Sequence, residues 1–438
     1  LEHAHEDLSP NYSAVDSYDF GGNDGDPSPV HSDDNHGTAV SGVAAGRGGN
    51  GIGITGAAPH ADLAGLRIDF PNQTSQMFED ATTHRSSGGT TTIDIKNHSY
   101  GVAFPYFFNS GQVSALQTST ATGTIHVFAA GNERGVHEQA EDLDDDGDFD
   151  VAYDGDANKK HVQSSQDSIA VTALSADGRH SSYANWGANV FATAPSNDSG
   201  QPGVFTTDRM GNPGYNDGSQ FADPNYTPAF GGTSSAAPLT AGVIALGKQV
   251  NPNLNTRMTK HLLARTNKIV DATDTSETSD GGWKVNAAGF EFNQNYGFGL
   301  IDADAFTQAA ALVTNLTPLT TETVSTTQVN QPIPEAQTDD AVPGTVSTTF
   351  NLSTPGELEE IEVTLNVTHP YRGDLQATLE SPSGTTGRLM YRNFGDFHDN
   401  ISDWTFVSNT FWGENPVGEW TLTVEDWFAQ DIGPWNSY

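Results

Sequence analysis

The sequence predicts an α/β domain built on a parallel sheet, followed by an all-β sandwich. Three observations carry this. Over residues 1–312 short apolar runs alternate with helix-like stretches, the pattern of strands joined by helical crossovers. Over 313–344 the chain becomes rich in Thr and Pro with little apolar periodicity, and reads as a linker. Over 345–438 short alternating runs separated by turn signals take over, as in a β-sandwich.

The elements follow in order. "DLAGLRI" (62–68), "GTIHVFAAGN" (123–132) and "DSIAVTALSA" (167–176) are apolar runs of strand length. "SSAAPLTAGVIALGKQV" (234–250) and "AFTQAAALV" (305–313) carry helical spacing. In the last region "STTFNLS", "IEVTLNV", "LQATLES" and "EWTLTVED" alternate with period two, separated by "SPSGT" and "PVGEW". Length sets no limit here, since 438 residues can bury at least one large core.

Composition excludes several functions. Acidic residues number 56 against 18 basic ones, for a formal charge of −38. Such a surface repels nucleic acid and anionic lipid, so neither nucleic acid nor membrane is an expected partner. It attracts cations and suits salty surroundings. The absence of cysteine rules out disulfides, thiolate catalysis and cysteine-based zinc sites. It leaves secretion open, because a large core needs no staples. No apolar run reaches the roughly 18 to 20 residues of a membrane span.

Two segments concentrate chemistry. In "DDNHGTAVSGVAAG" (33–46) His36 leads into a helix of small residues, and in "GGTSSAAPLTAGV" (231–243) Ser234 sits where a Gly-rich turn enters a helix. A helix start supplies free N–H groups and a positive dipole end beside the serine oxygen. A serine becomes a nucleophile when a base takes its proton, and histidine is the usual base. Each residue also has a plain structural reading, His36 as an ordinary histidine and Ser234 as an N-cap. A third piece, "FAAGNERG" (128–135), brings Asn132 to the end of an apolar strand. Its amide can donate to an oxyanion, or serve only in a turn.

The blocks "HGTAVSG", "SYG", "AAGN" and "GGTSSAAP", in this order, resemble the signature blocks of the subtilisin-like serine proteases. Within them the chain is most similar to the kexin and furin-like proprotein convertases, through "SYDF", "YGFGLIDA" (296–303), "HPYRGDLQATLESPSGT" (369–385) and "FWGENPVGEWTLTVED" (411–426). The resemblance implies a subtilisin-like parallel sheet with helices on both faces, then a jelly-roll-like P-domain. It implies a secreted, calcium-dependent serine endopeptidase acting on proteins or peptides, a monomer made with its own pro-segment. His36 is then the general base, Ser234 the nucleophile, and Asn132 the oxyanion donor together with the Ser234 N–H. Ser99, Tyr100 and Gly101 pair with substrate, and Ala129, Ala130 and Gly131 wall the primary pocket. Asp34 and Asp154 match acidic positions that favour basic substrate residues. Phe104 and Asn185 stand where the convertases carry Asp and Glu, so strict dibasic preference is not implied.

The family's triad Asp lies in a block ending Asp-x-Gly-(Ile/Leu), and Leu1 matches its last letter, with "HEDL" (5–8) following. The expected Asp is then three residues upstream of Leu1. "DIGPWNSY" (431–438) resembles the turn before a closing P-domain strand, so the expectation is a fragment of a longer precursor. For calcium the resemblance implies Asp7 with "RGGNGIGI" (47–54), through the Asn50 side chain and the carbonyls of Arg47, Ile52 and Ile54. A second candidate is "EDLDDDGDFD" (141–150), where Asp142, Asp144, Asp146 and Asp148 with Gly147 follow the D-x-D-x-D-G pattern. Its twelfth position is Tyr153 rather than Glu. A pseudoprotease serving as a protein- or glycan-binding module is the alternative. An esterase is set aside, because its order is Ser, acid, His around G-x-S-x-G.

Overall fold

Why the cleft has a rigid floor follows from the strands beneath it. The computed structural model describes residues 1–438 except 88, 89, 144–149, 212, 325 and 326. Strands β1 (Ile95–His98), β2 (Ile125–Ala129), β3 (Ser168–Leu174) and β4 (Val190–Pro195) form one parallel sheet, in the order β4-β3-β2-β1. Every residue of β2 and β3 is buried, which explains their mostly apolar runs, since helices cover both faces of such sheets. A separate parallel pair joins Tyr18–Asp19 to Leu66–Arg67.

Six helices accompany the sheet among the described residues: α1 (His36–Ala45), α2 (Ser75–Thr83), α3 (Ser110–Ala121), α4 (Thr233–Val250), α5 (Thr256–Thr266) and α6 (Ala303–Ala310). Local chemistry fixes their starts. Asn109 Oδ1 accepts from Gly111 N at 2.9 Å, Asn255 Oδ1 from Met258 N at 2.9 Å, and Asp302 Oδ1 from Ala305 N at 3.1 Å, each satisfying a free N–H of the first turn. Helix α4 lies in the core, with Ala236, Ala237, Ala241 and Ile244 buried. Its Gly242 lets α1 and the following loop approach, because a Cβ there would lie 2.6 Å from Ala57 Cβ and 2.8 Å from the Ala44 carbonyl. The hairpin β5 (Val204–Thr207) and β6 (Tyr226–Phe230) leads into α4.

The sandwich comprises β7 (Gln328–Pro332), β8 (Gly344–Leu352), β9 (Ile361–Val367), β10 (Leu375–Glu380), β11 (Thr386–Met390), β12 (Ile401–Ser408), β13 (Gly418–Asp426) and β14 (Pro434–Ser437). Two antiparallel sheets, β7-β14-β9-β12 and β8-β13-β10-β11, enclose Leu365, Phe406, Trp420, Leu422 and Trp435. The segment 313–344 is therefore more than a linker. It carries β7, paired with β14, and Ile333 is buried in the sandwich core. Its composition hid this because β7 is an edge strand with mostly exposed side chains, where Pro and polar residues are tolerated.

The two units are joined through dense polar contacts. Asn158 Nδ2 donates to Leu389 O (2.7 Å) and Val407 O (2.9 Å), and Asn286 Nδ2 to Thr410 O (3.0 Å) and Trp412 O (2.8 Å). Trp412, from the sandwich side, packs into the core of the α/β unit. Helix α5 adds ion pairs, Arg257 and His261 to Glu359 and Lys260 to Glu360.

Beside the cleft the sheet buries two histidines. His98 Nε2 lies 2.9 Å from His126 Nδ1, and His98 Nδ1 2.8 Å from the Tyr100 hydroxyl. Burial pushes His98 down to about 3, the Lys96 charge adding to it, and burial also holds His126 well below the ordinary value. Below the ordinary histidine pKa the unfolded chain then binds more protons than the fold, so stability is full above that pKa and is lost as pH falls. Each ring contributes a slope of up to about 1.4 kcal/mol per pH unit. Urea unfolding from pH 6.5 down to 4.5 should show this slope, and the double variant His98→Asn/His126→Asn should flatten it. An equal slope in that variant would show that the rings titrate normally.

Candidate active site

The turn before α4 sets the serine. Gly232 has φ +75° and ψ 170°, a conformation open to glycine without strain. Gly231 packs against Asn197, where a Cβ would sit 1.9 Å from Oδ1. The chain therefore enters α4 tightly, with Ser234 in the first turn, where N–H groups are free and the dipole is positive. Ser234 Oγ donates to Ser99 O at 3.4 Å, and Ser99 Oγ donates to Ser234 O at 3.0 Å.

His36 is the first residue of α1, and its ring meets Phe230 edge-on at 5.6 Å. Burial lowers its pKa from the ordinary value, which favours the neutral imidazole that can accept a proton. Among the described residues the imidazole makes no hydrogen bond. Asn132 follows β2, and its Oδ1 accepts from Thr233 N (2.9 Å) and Thr233 Oγ1 (3.1 Å). That fixes the amide, and among the described residues Nδ2, beside Gly232, has no acceptor. His36, Asn132 and Ser234 line one cleft of about 380 Å³.

A second cavity of about 150 Å³ shares Asn132 and Ser234 with the first. Ser99, Tyr100, Gly101, Ala129, Ala130 and Gly131 all line it, so the structure brings these six predicted residues together. It adds Glu133 and Gln163, which sequence reasoning missed. Glu133 Oε2 accepts from Asn185 Nδ2 at 2.6 Å, and Asn185 Nδ2 also donates to Ala130 O at 3.1 Å. Asn185 thus braces the wall from behind. Glu133 directly follows Asn132 in the sequence, a signal that was available; Gln163 had none.

The two acids expected to meet basic substrate residues lie elsewhere. Asp34 Oδ2 accepts from Val30 N (2.8 Å), His31 N (3.1 Å) and Arg67 Nη2 (2.9 Å), and lines neither cavity. Asp154 is fully buried, paired with Lys159 Nζ at 2.7 Å and held by Asn393 Nδ2 at 3.0 Å from the sandwich. It faces the junction between the two units rather than the cleft. In both cases a lysine or arginine of the same chain takes up the charge.

The loop 47–54 lies against Asp7. Asp7 is buried; its carboxylate accepts from Asn50 Nδ2 (2.6 Å), Ile54 N (2.8 Å) and Tyr226 Oη (3.0 Å), with no Lys or Arg paired to it among the described residues. Tyr226 Oη also donates to Glu6 Oε1 at 2.9 Å, so a second carboxylate stands close. Gly53 is required, since a Cβ would lie 1.9 Å from Asp7 Oδ2. Among the described residues no donor reaches the carbonyl oxygens of Arg47, Ile52 or Ile54. Asn50 turns Nδ2 rather than the expected Oδ1 toward Asp7, and its Oδ1 accepts from Ile52 N at 3.2 Å; the oxygens left to suit a hard cation such as calcium are the carboxylates of Asp7 and Glu6 and the three carbonyls. Of the second candidate, Asp144, Asp146 and Asp148 lie outside the described residues, and Asp142 is half-buried.

Comparisons with known proteins give the family of the chain. The subtilase family model matches residues 1–299, and the proprotein convertase P-domain model matches residues 358–438. Rat proprotein convertase subtilisin/kexin type 6 is 30% identical over 463 residues, spanning 99% of this chain and 44% of that protein. The chain thus covers less than half of that convertase. The Aeromonas extracellular serine protease of Aeromonas sobria is 32% identical over 478 residues, spanning 97% of this chain and 75% of that protein. The crystal structure of the A. sobria serine protease superposes with a TM-score of 0.84 at 28% identity, covering 100% of this chain and 86% of that one. Motifs, fold and relatives converge: the chain belongs to the subtilase family of serine proteases, a subtilisin-like α/β unit followed by a convertase-type P-domain.

Proposed function

We propose that the protein is a secreted, calcium-stabilised serine endopeptidase. The observation that carries this is one cleft lined by Ser234, His36 and Asn132, with a second cavity opening from the same serine. A peptide pairs with Ser99–Gly101 and places its acyl-side residue between those residues and Ala129–Gly131. Ser234 Oγ attacks the carbonyl carbon and His36 takes its proton. Asn132 Nδ2 and the Ser234 N–H hold the oxyanion. His36 then protonates the leaving amine, and water repeats the sequence to free the acid. Ser234 and His36 share no hydrogen bond here; such contacts often tighten only with substrate bound. Among the described residues no carboxylate is hydrogen-bonded to His36, so the reading calls for an acid that orients the imidazole. The extracellular Aeromonas relative supports secretion, and a solved structure of it with the chaperone ORF2 supports a folding partner, which we assign to a pro-segment.

The unbonded His36 also favours the second reading, a pseudoprotease that binds without cleaving. A fluorophosphonate probe on the full-length protein separates them: label mapped to Ser234 supports the endopeptidase, and a folded protein that takes no label supports the binding module. Bound calcium would screen Asp7 and Glu6 and rigidify the loop beside α1. At a hundredfold excess over Kd it should add about 2.7 kcal/mol of stability. Thermal unfolding with calcium and with chelator should differ accordingly, and Asp7→Asn should erase the difference. Identical curves for the wild type would remove calcium from the proposal.

A further inference from the structure

The cleft holding His36 is chemically unlike the cavity walled by Ser99–Gly101. The latter contains a carboxylate, Glu133. Apart from His36 the former is lined without any ionisable acid or base of ordinary pH, by Tyr215, Gln220, Thr227, Ala229 and Phe230 around the catalytic groups. In a protein of net charge −38 an uncharged stretch of this kind is a distinct chemical environment. Its position relative to the reaction is fixed by His36. The base that protonates the leaving amine must face the leaving side, and His36 lines this cleft and not the other.

The wall is aromatic and preformed. Phe230 lies between His36 (5.6 Å) and Tyr215 (6.0 Å, tilted 44°). Phe230 is buried, whereas Tyr215 stays 43% exposed and so has a face free for a ligand. The turn that presents Tyr215 is held from inside. Buried Asn216 donates from Nδ2 to Phe221 O (2.9 Å) and Tyr226 O (2.8 Å), and its own N–H donates to the buried Asp208 Oδ2 at 2.7 Å. Asp208 Oδ1 takes Arg209 N at 2.9 Å. A side chain next to Asn216 is thereby positioned before substrate arrives.

We propose that Tyr215, with Phe230 behind it and Gln220 at the rim, forms a leaving-side subsite that selects a bulky apolar or aromatic residue immediately C-terminal to the scissile bond. The proposal rests on the endopeptidase reading above and adds to it the substrate class on the leaving side.

Acyl transfer reads this subsite directly. An ester substrate forms the Ser234 acyl-enzyme. An added amino-acid amide then competes with water: its nitrogen bonds to the acyl carbon, the bond to Ser234 Oγ breaks, and the amine proton returns to Oγ through His36. The full-length wild type should capture phenylalaninamide better than glycinamide. Tyr215→Ala should lower that capture ratio about tenfold, the scale of discrimination of one apolar pocket contact, and Tyr215→Phe should keep it. Tyr215→Arg, at the same exposed position, should turn the preference toward aspartic acid amide. A ratio near one in the wild type, or one that Tyr215→Ala and Tyr215→Arg leave unmoved while Ser234 still takes a fluorophosphonate label, would overturn the subsite alone. Failure of the wild type to take the label would overturn the endopeptidase reading and the subsite together.

Discussion

Ser234→Ala in the full-length protein is expected to lower turnover by about 10⁶-fold, and Asn132→Ala by about 10²–10³-fold. The first magnitude is that of losing the nucleophile of a subtilisin, and the second that of losing a subtilisin's side-chain oxyanion donor. The reasons for the gap are geometric. Ser234 sits in the first turn of α4, and it is the serine that lines the same cleft as His36 and Asn132. Asn132 has its oxygen held by Thr233 at 2.9 and 3.1 Å, so what alanine removes is the Nδ2 donor, while the Ser234 N–H remains. That donor meets negative charge only in the transition state, so Asn132→Ala should lower kcat and leave KM near the wild-type value. Steady-state kinetics on a peptide substrate measure both. An Asn132→Ala enzyme with wild-type kcat would take Asn132 out of the mechanism. Peptide binding equal in wild type and Ser234→Ala, without cleavage by either, would support the binding module.

How much of this was legible beforehand differs between fold and site. The parallel sheet was legible because β2 and β3 are buried along their whole length and are therefore mostly apolar, with His126, Ser168 and Thr172 the polar exceptions. The sandwich was legible from strands such as β9, which buries alternate residues. Strand β7 was not, because an edge strand that exposes most of its residues carries neither signal. Within the site, His36, Ser234 and Asn132 were legible because each must sit at a fixed point of a strand or helix end, and small residues crowd around such points. Tyr215 and Gln220 belong to a turn whose shape depends on the side chain of Asn216, and no periodicity encodes that. Asp34 and Asp154 were visible as charges, but their partners Arg67 and Lys159 are brought to them only by tertiary packing.

That packing makes the second large effect a structural one. Lys159→Met should destabilise the fold by about 3–5 kcal/mol, the cost of stripping one partner from a buried ion pair. Lys159 and Asp154 are both buried, with Nζ 2.7 Å from Oδ2. Burial would raise the Asp154 pKa, yet the Lys159 ammonium, with His137, holds it well below the usual carboxylate range. Lys159 Nζ also donates to Tyr391 O at 2.6 Å in the sandwich, and Asn393 Nδ2 reaches Asp154 at 3.0 Å from the same side. Methionine would leave that carboxylate beside the equally buried Asp156, with no ammonium between them and the sandwich carbonyl unbonded. The effect should reach the cleft too. Lys159 O accepts from Tyr106 N at 2.9 Å, and Gln163, four residues on, lines the Ser99–Gly101 cavity and donates to Ala129 O at 3.3 Å. KM should therefore rise as stability falls. The double variant Lys159→Met/Asp154→Asn is the decisive comparison. If the stranded charge is the cause, removing it should restore much of the urea midpoint lost by Lys159→Met, with a coupling of about 0.5–3 kcal/mol between the two sites. Additive losses would mean instead that the methylene packing and the Tyr391 hydrogen bond of Lys159, rather than its charge, hold the catalytic unit to its sandwich.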